Sequence, residues 1–251
     1  MKKNKLVLRF LIPFLLVIAC NSCKQNSEGF QSDEMTIEDE IAELIPDNIY
    51  PDSTMVISTH SDFTKKHYPN RISEFKKEPL AANDIVFLGN SITEQGDDWS
   101  LKVDNTKARN RGISGDTTEG VLARLGEVVF FKPEKIFILI GINDLFRDDM
   151  SAEKVFNNIL KIVSQIHDGA PETKIFVQTI LPTTTKSLKE KIKRTNSLLV
   201  NSEATAPFEL IYLHNHFETE DDLMNMELSA DGVHLNEKGY ALWVQKIINL
   251  I

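Results

Sequence analysis

Cysteine is nearly missing from this 251-residue chain: its two cysteines, Cys20 and Cys23, both fall in the first 23 residues. Everything after them is free of thiols, which excludes a disulfide framework and leaves core packing to stabilise the fold. Basic charge is also short, with 28 Lys and Arg against 37 Asp and Glu and a formal net charge of -9. Such a surface repels phosphate backbones, so nucleic acid is not an expected partner. No collagenous or low-complexity signature and no internal repeat is present, and the Gly-x-Ser-x-Gly elbow of the α/β-hydrolases is missing. What remains is an ordinary globular composition, 41% hydrophobic and 26% charged, of a length that suits one catalytic domain.

The N-terminus differs from the rest. Lys2, Lys3, Lys5 and Arg9 precede the apolar run Phe10 to Ala19, the charged and hydrophobic regions of an export signal. That run is too short to cross a bilayer. It ends in Val17-Ile18-Ala19-Cys20, which resembles the lipobox of bacterial lipoproteins, with Cys23 as a weaker candidate acceptor and an ordinary secretory signal as the competing reading. Cleavage before Cys20 removes four positive charges and no negative one, leaving a formal net charge of -13. The expected organisation is a signal peptide over 1–19, an acidic tether over 20–50 and a catalytic domain over 51–251. The expected location is the cell envelope, held to a membrane by a lipid on Cys20. Within the tether, Ile37, Ile41, Leu44 and Ile45 have helical spacing, so a short docked helix competes with an extended linker.

Beyond Asn83 the pattern becomes regular. Apolar stretches at Ile85 to Leu88, Ile136 to Ile140, Lys174 to Ile180 and Glu209 to Leu213 are strand candidates. Helical patterns lie between them, the clearest with Ser151 as N-cap and Val155, Ile159, Ile162, Val163 and Ile166 on one face. Thr117 to Val129, Ser187 to Ala204 and Asn236 to Ile251 are further helix candidates. Strands alternating with helices imply a parallel sheet with helices on both faces and chemistry beyond the carboxyl ends of the strands.

Ser91 follows the first strand in Gly89-Asn90-Ser91-Ile92-Thr93, where a strand turns into a helix. That is a good place for a nucleophile, although a serine there more often caps the helix. Near the C-terminus, Asp231-Gly232-Val233-His234 puts a carboxylate three residues from an imidazole, close enough to accept its Nδ1 proton and leave Nε2 as a base. By itself an Asp-x-x-His pair is more often a surface turn. Two further segments offer donors for an oxyanion: Arg111-Gly112-Ile113-Ser114-Gly115-Asp116, where Gly112 can present a backbone N–H, and Gly141-Ile142-Asn143-Asp144, where the Asn143 amide can donate. With the Ser91 N–H this makes three donors.

Ser91, Gly112, Asn143 and His234 resemble the four signature residues of the SGNH hydrolases, also called the GDSL family, over about Asn70 to Ile251. The blocks Ile85 to Thr93, Asn110 to Thr118 and Asp231 to Asn236 are similar to those of a branch holding sialate O-acetylesterase-like and platelet-activating-factor-acetylhydrolase-like proteins. Asn90 stands where many members have Asp, and Ile92 where the name-giving motif has Leu. The resemblance implies a three-layer α/β/α sandwich with a flavodoxin-like parallel sheet, and gives Asp144 a supporting role beside Asn143.

The expected activity is hydrolysis of small acyl esters, acetyl above all, on a carbohydrate or other small molecule. Ser91 attacks, His234 takes its proton, Asp231 orients His234, and Ser91, Gly112 and Asn143 hold the oxyanion. This chemistry requires no metal or organic cofactor. A lysophospholipase or thioesterase for longer acyl chains is the rival enzymatic reading, and a glycan-binding protein with a vestigial site a third. His214 and His216, one residue apart, are a weak metal-ligand pair without a convincing third ligand.

Overall fold

The computed structural model describes residues 45–251, which form one compact unit. Cys20, Cys23, the export signal and most of the tether with its possible helix lie outside the described residues. The sequence assigns residues up to 50 to the tether. Ile49 and Tyr50 are instead buried in a small cluster with Tyr68, Ile72, Phe75 and Ile113, because the Tyr50 hydroxyl reaches Glu127 at 3.1 Å and its ring packs as core.

The first long helix among the described residues is α1 (Asp62–Lys77), capped by the Ser61 hydroxyl, which accepts from Thr64 N. It leads to β1 (Ile85–Gly89), the short helices α2 (Ser91–Glu94) and α3 (Trp99–Lys102), and β2 (Ala108–Gly112). Next come α4 (Thr118–Ala123), α5 (Gly126–Phe131), β3 (Lys135–Leu139), α6 (Ile142–Leu145), α7 (Ala152–Gly169) and β4 (Lys174–Gln178). The described chain closes with α8 (Lys189–Ser202), β5 (Glu209–Ile211) and α9 (Glu237–Ile247). All five strands are parallel, in the order β2-β1-β3-β4-β5, and helices flank the sheet in a three-layer α/β/α arrangement. Among the described residues no helix is long and apolar enough to cross a membrane.

The register sets Phe87, Phe137 and Phe176 side by side across β1, β3 and β4. Their rings stack at 5.2 and 4.7 Å, and Trp99 stacks on Phe87 at 3.9 Å. Trp243 of α9 meets Trp99 edge-on at 4.8 Å and donates its indole N–H to Gln178 at 2.6 Å. This aromatic layer fixes α9, and therefore the loop before it, against β1 and α2. Helix α7 buries the face read from the sequence, Val155, Ile159, Ile162, Val163 and Ile166, behind its Ser151 cap.

Two sequence expectations change. The Thr117 to Val129 helix is two short ones, broken at Arg124 and Leu125. The Arg124 side chain turns inward, bonding Asp116 at 3.0 Å and Gly89 O at 3.0 Å. Strand β2 has no counterpart among the expected strands: Ala-Arg-Asn-Arg-Gly lacks an apolar run because it is an edge strand whose polar side chains bond nearby groups.

Candidate active site

Ser91 begins α2 directly beyond the carboxyl end of β1. The Asn90 side chain accepts from Ile92 N at 3.0 Å and so caps this helix, which frees Ser91 from capping. Ser91 N–H, in the first turn, has no acceptor among the described residues.

His234 arrives from the opposite end of the described chain. Between Ser229 and Leu235 the loop is tied to itself: Ala230 N and Ser229 Oγ both donate to His234 O, at 2.9 and 2.7 Å, and Gly232 N donates to Ser229 Oγ at 2.8 Å. Asn236 then caps α9 by accepting from Gly239 N, and the Tyr240 hydroxyl donates to Ile92 O at 2.8 Å. These bonds fix the loop on α2, with His234 Nε2 2.9 Å from Ser91 Oγ.

On the far side of the ring, His234 Nδ1 is 2.7 Å from Asp231 Oδ2, while Asp231 Oδ1 accepts from Val233 N at 2.9 Å and His234 N at 2.8 Å. Partial burial alone would raise the Asp231 pKa. The hydrogen bonds from the His234 ring and the two backbone amides outweigh it and hold the carboxyl at about 2. An ionised carboxylate only accepts, so Nδ1 carries the ring proton and Nε2 faces Ser91 as an acceptor. Asp231, His234 and Ser91 are thus brought together as a continuous relay.

The two expected side-on donors fare differently. Gly112 N–H is already bonded to Asn110 Oδ1 at 2.9 Å, and a Cβ at Gly112 would collide with the Glu94 backbone. Gly112 is therefore a close-packing position between β2 and α2, not an open donor, which corrects the sequence assignment. The glycine the sequence reading passed over is Gly115. It lies in a turn closed by Asp116 N to Ile113 O at 3.0 Å, with φ +79, and its N–H has no acceptor among the described residues. Its signal was present in Ser114-Gly115-Asp116, since a glycine in the third position of a turn reads as one requiring positive φ.

Asn143 stands in α6, just past β3, and donates through Nδ2 to Asp116 O at 2.8 Å, which leaves its second amide hydrogen free. Asp144, beside it, is fully buried and accepts from Thr118 N at 3.0 Å and Thr118 Oγ1 at 2.6 Å. Burial dominates these bonds and raises its carboxyl to about 6. It ties α4 to α6 beside Asn143.

His214 and His216 are not brought into this site. His214 is engaged by Ile180 O at 2.7 Å and Glu218 at 3.1 Å, and among the described residues no group of three His, Cys, Asp or Glu is arranged to hold a metal.

Residues 87–242 match the model of the GDSL-like lipase/acylhydrolase family. The chain is similar to the platelet-activating factor acetylhydrolase IB subunit alpha2 of Rattus norvegicus, 33% identical over 183 residues that span 70% of this chain and 77% of that one. A solved structure described as a platelet activating factor from Streptococcus pneumonia has a TM-score of 0.66 at 22% identity, covering 75% of this chain and 94% of the other. A variant of an acetyl-xylooligosaccharide esterase from Geobacillus Stearmophilus has a TM-score of 0.57 at 16% identity, covering 68% and 94%. At these identities the two solved structures share the fold.

Proposed function

The chain belongs to the GDSL-like lipase/acylhydrolase family and is a carboxylic ester hydrolase, and from that premise we propose that it removes small acyl groups, acetyl above all, from carbohydrates. The observation that carries the reading is the relay in which His234 stands 2.9 Å from Ser91 Oγ and 2.7 Å from Asp231.

In the first step the Ser91 hydroxyl gives its proton to His234 Nε2 while Oγ forms a bond to the ester carbonyl carbon. The negative charge that develops on the carbonyl oxygen is met by Ser91 N–H, Gly115 N–H and the free Asn143 amide hydrogen. As the tetrahedral centre collapses, the leaving alkoxide takes the proton from His234. Water then gives a proton to the same nitrogen and attacks the acyl carbon; as this second tetrahedral centre collapses, His234 returns the proton to Ser91 Oγ, the acyl–Oγ bond breaks and the acid leaves. Asp231 stays ionised throughout and offsets the charge on the imidazolium.

The acyl group and leaving group are argued from the relatives. An acetyl ester is named in both the acetylhydrolase at 33% identity and the acetyl-xylooligosaccharide esterase of the same fold, and a saccharide in the second. We further propose export and anchoring through Cys20, on the strength of the lipobox-like Val17-Ile18-Ala19-Cys20.

The deciding experiment combines acetate release from acetylated sialic acids, xylan and pectin fragments with a chain-length series of p-nitrophenyl esters. A sharp preference for acetate and turnover of one glycan panel are expected. Equal or better rates on long acyl chains would move the enzyme to the lysophospholipases or thioesterases. Ser91→Ala should abolish the acylation burst, and a surviving burst would remove Ser91 from its role. Radiolabelled fatty acid should enter the wild type and not Cys20→Ala.

A further inference from the structure

Asp116 is bonded to several parts of the site at once. Its Oδ1 accepts from His60 Nε2 at 2.9 Å and from Thr117 N at 2.9 Å. Its Oδ2 accepts from Arg124 Nε at 3.0 Å, and the same guanidinium donates to Gly89 O, two residues before Ser91. Its main-chain oxygen fixes Asn143, and its own amide closes the turn that contains Gly115. One buried residue thereby links, through its carboxylate and its main chain, the strand that leads to Ser91, the turn that presents Gly115 and the side chain of Asn143.

The His60 and Asp116 side chains are 1% and 0% exposed, and a carboxylate taken from water needs all its acceptor sites filled. His60 fills one of them from outside the family match, which begins at residue 87. It does not act alone. Thr59 Oγ1 meets Thr117 Oγ1 at 2.7 Å, Thr59 O accepts from Arg147 at 3.2 Å, and Thr64 Oγ1 sits where a Cβ on Gly115 would be. The segment Thr59–Thr64 therefore braces the Gly115 turn, while Arg124 braces it from the sheet side.

We propose that His60 and Asp116 are positioning residues for oxyanion stabilisation, and that the Thr59–Thr64 segment is a working part of the active site although it precedes the family-matched residues. The inference rests on the roles given above to Ser91, Gly115 and Asn143. Because Asp116 acts through Asn143 and Gly115, loss of His60 should misplace donors used in the transition state and leave ground-state binding unchanged.

The test compares His60→Ala, His60→Gln and the double variant His60→Ala/Asn143→Ala in the full chain, with p-nitrophenyl acetate turnover and thermal melting as readouts. His60→Ala should lower kcat about ten- to a hundred-fold with KM within about two-fold. His60→Gln, whose amide N–H can stand where the imidazole Nε2–H does, should recover most of that loss. The double variant should be slowed by clearly less than the product of the two single losses, since part of the stabilisation that His60→Ala removes runs through Asn143. A folded His60→Ala enzyme with unchanged kcat, or losses that multiply fully in the double variant, would overturn the proposal. Should His60→Ala fail to fold, His60→Asn, which is too short to reach Asp116, takes its place under the same criteria. Turnover surviving in Ser91→Ala would instead overturn the reading of the site itself, and the positioning role with it.

Discussion

Asn143 Nδ2 and the main-chain oxygen of Asp116 stand 2.8 Å apart, so one amide hydrogen anchors the side chain and the other is left for a ligand. Asn143→Ala should lower kcat by roughly 10²- to 10³-fold with KM little changed, the pattern of a donor used only in the transition state. Steady-state kinetics on an activated acetyl ester reads this directly, and near-normal kcat in a folded variant would sink the assignment.

Asp231→Asn keeps one oxygen for the backbone amides of Val233 and His234 but turns an N–H toward His234 Nδ1. The ring must then carry its proton on Nε2, where it can no longer accept from Ser91. A loss of about 10⁴-fold in kcat is expected, as for other triads in which the tautomer is inverted. Wild-type melting behaviour combined with full activity would show that Asp231 does not set the tautomer.

Asp144 predicts a pH-dependent stability difference. Its carboxyl titrates at about 6 in the fold against 3.8 as the ordinary value, because burial disfavours the charge. An acid with a raised folded pKa binds more protons folded than unfolded, so its contribution to stability falls as pH rises from about 4 to about 6. Asp144→Asn does not titrate. The stability of the wild type relative to this variant should therefore shrink across that window, by up to about 3 kcal/mol, and then level off. Denaturant melts at intervals from pH 4 to 7 test it, and a constant gap would contradict the buried-acid account.

Trp99→Ala removes the ring that stacks on Phe87 at 3.9 Å and meets Trp243 edge-on. The cost should be about 3–5 kcal/mol by chemical denaturation. Since Trp99 Nε1 also bonds Thr93 O in α2 at 3.0 Å, activity should fall below the transition midpoint as well. A loss under about 1 kcal/mol would mean that α9 is held without the aromatic layer.

The fold was legible wherever apolar residues form a short run or a one-sided helical face. The apolar runs at β1, β3, β4 and β5 and the amphipathic face of α7 announce themselves, and their ends differ from expectation by a residue or two. Strand β2 escaped because Arg109, Asn110 and Arg111 break any apolar run, their polar groups being met instead by Asp84, the main-chain oxygens of Glu94 and Asp97, and Glu127. Helix α1 gave no expectation: its buried residues Thr64, Tyr68, Ile72 and Phe75 sit among eight charged or histidine side chains, and Pro69 interrupts the pattern. Within the site, local sequence carried Ser91, Asn143, Asp231 and His234 to neighbouring places. Gly112 and Gly115 are told apart by largely local structure: the Asn110 side chain, two residues back on the same strand, takes the Gly112 N–H, while a turn position that needs positive φ leaves the Gly115 N–H free. The link from His60 to Asp116 joins residues 56 apart, and no spacing rule reaches that far.

Ser91 and His234 are 143 residues apart and meet only because Tyr240 and Trp243 clamp α9 onto α2 and the sheet. The Ser91–His234 contact is therefore set by a helix–sheet interface and not by local sequence. Turnover by this chain thus reports the docking of α9, and a change that loosens that helix without touching Ser91, Asp231 or His234 should register as lost activity.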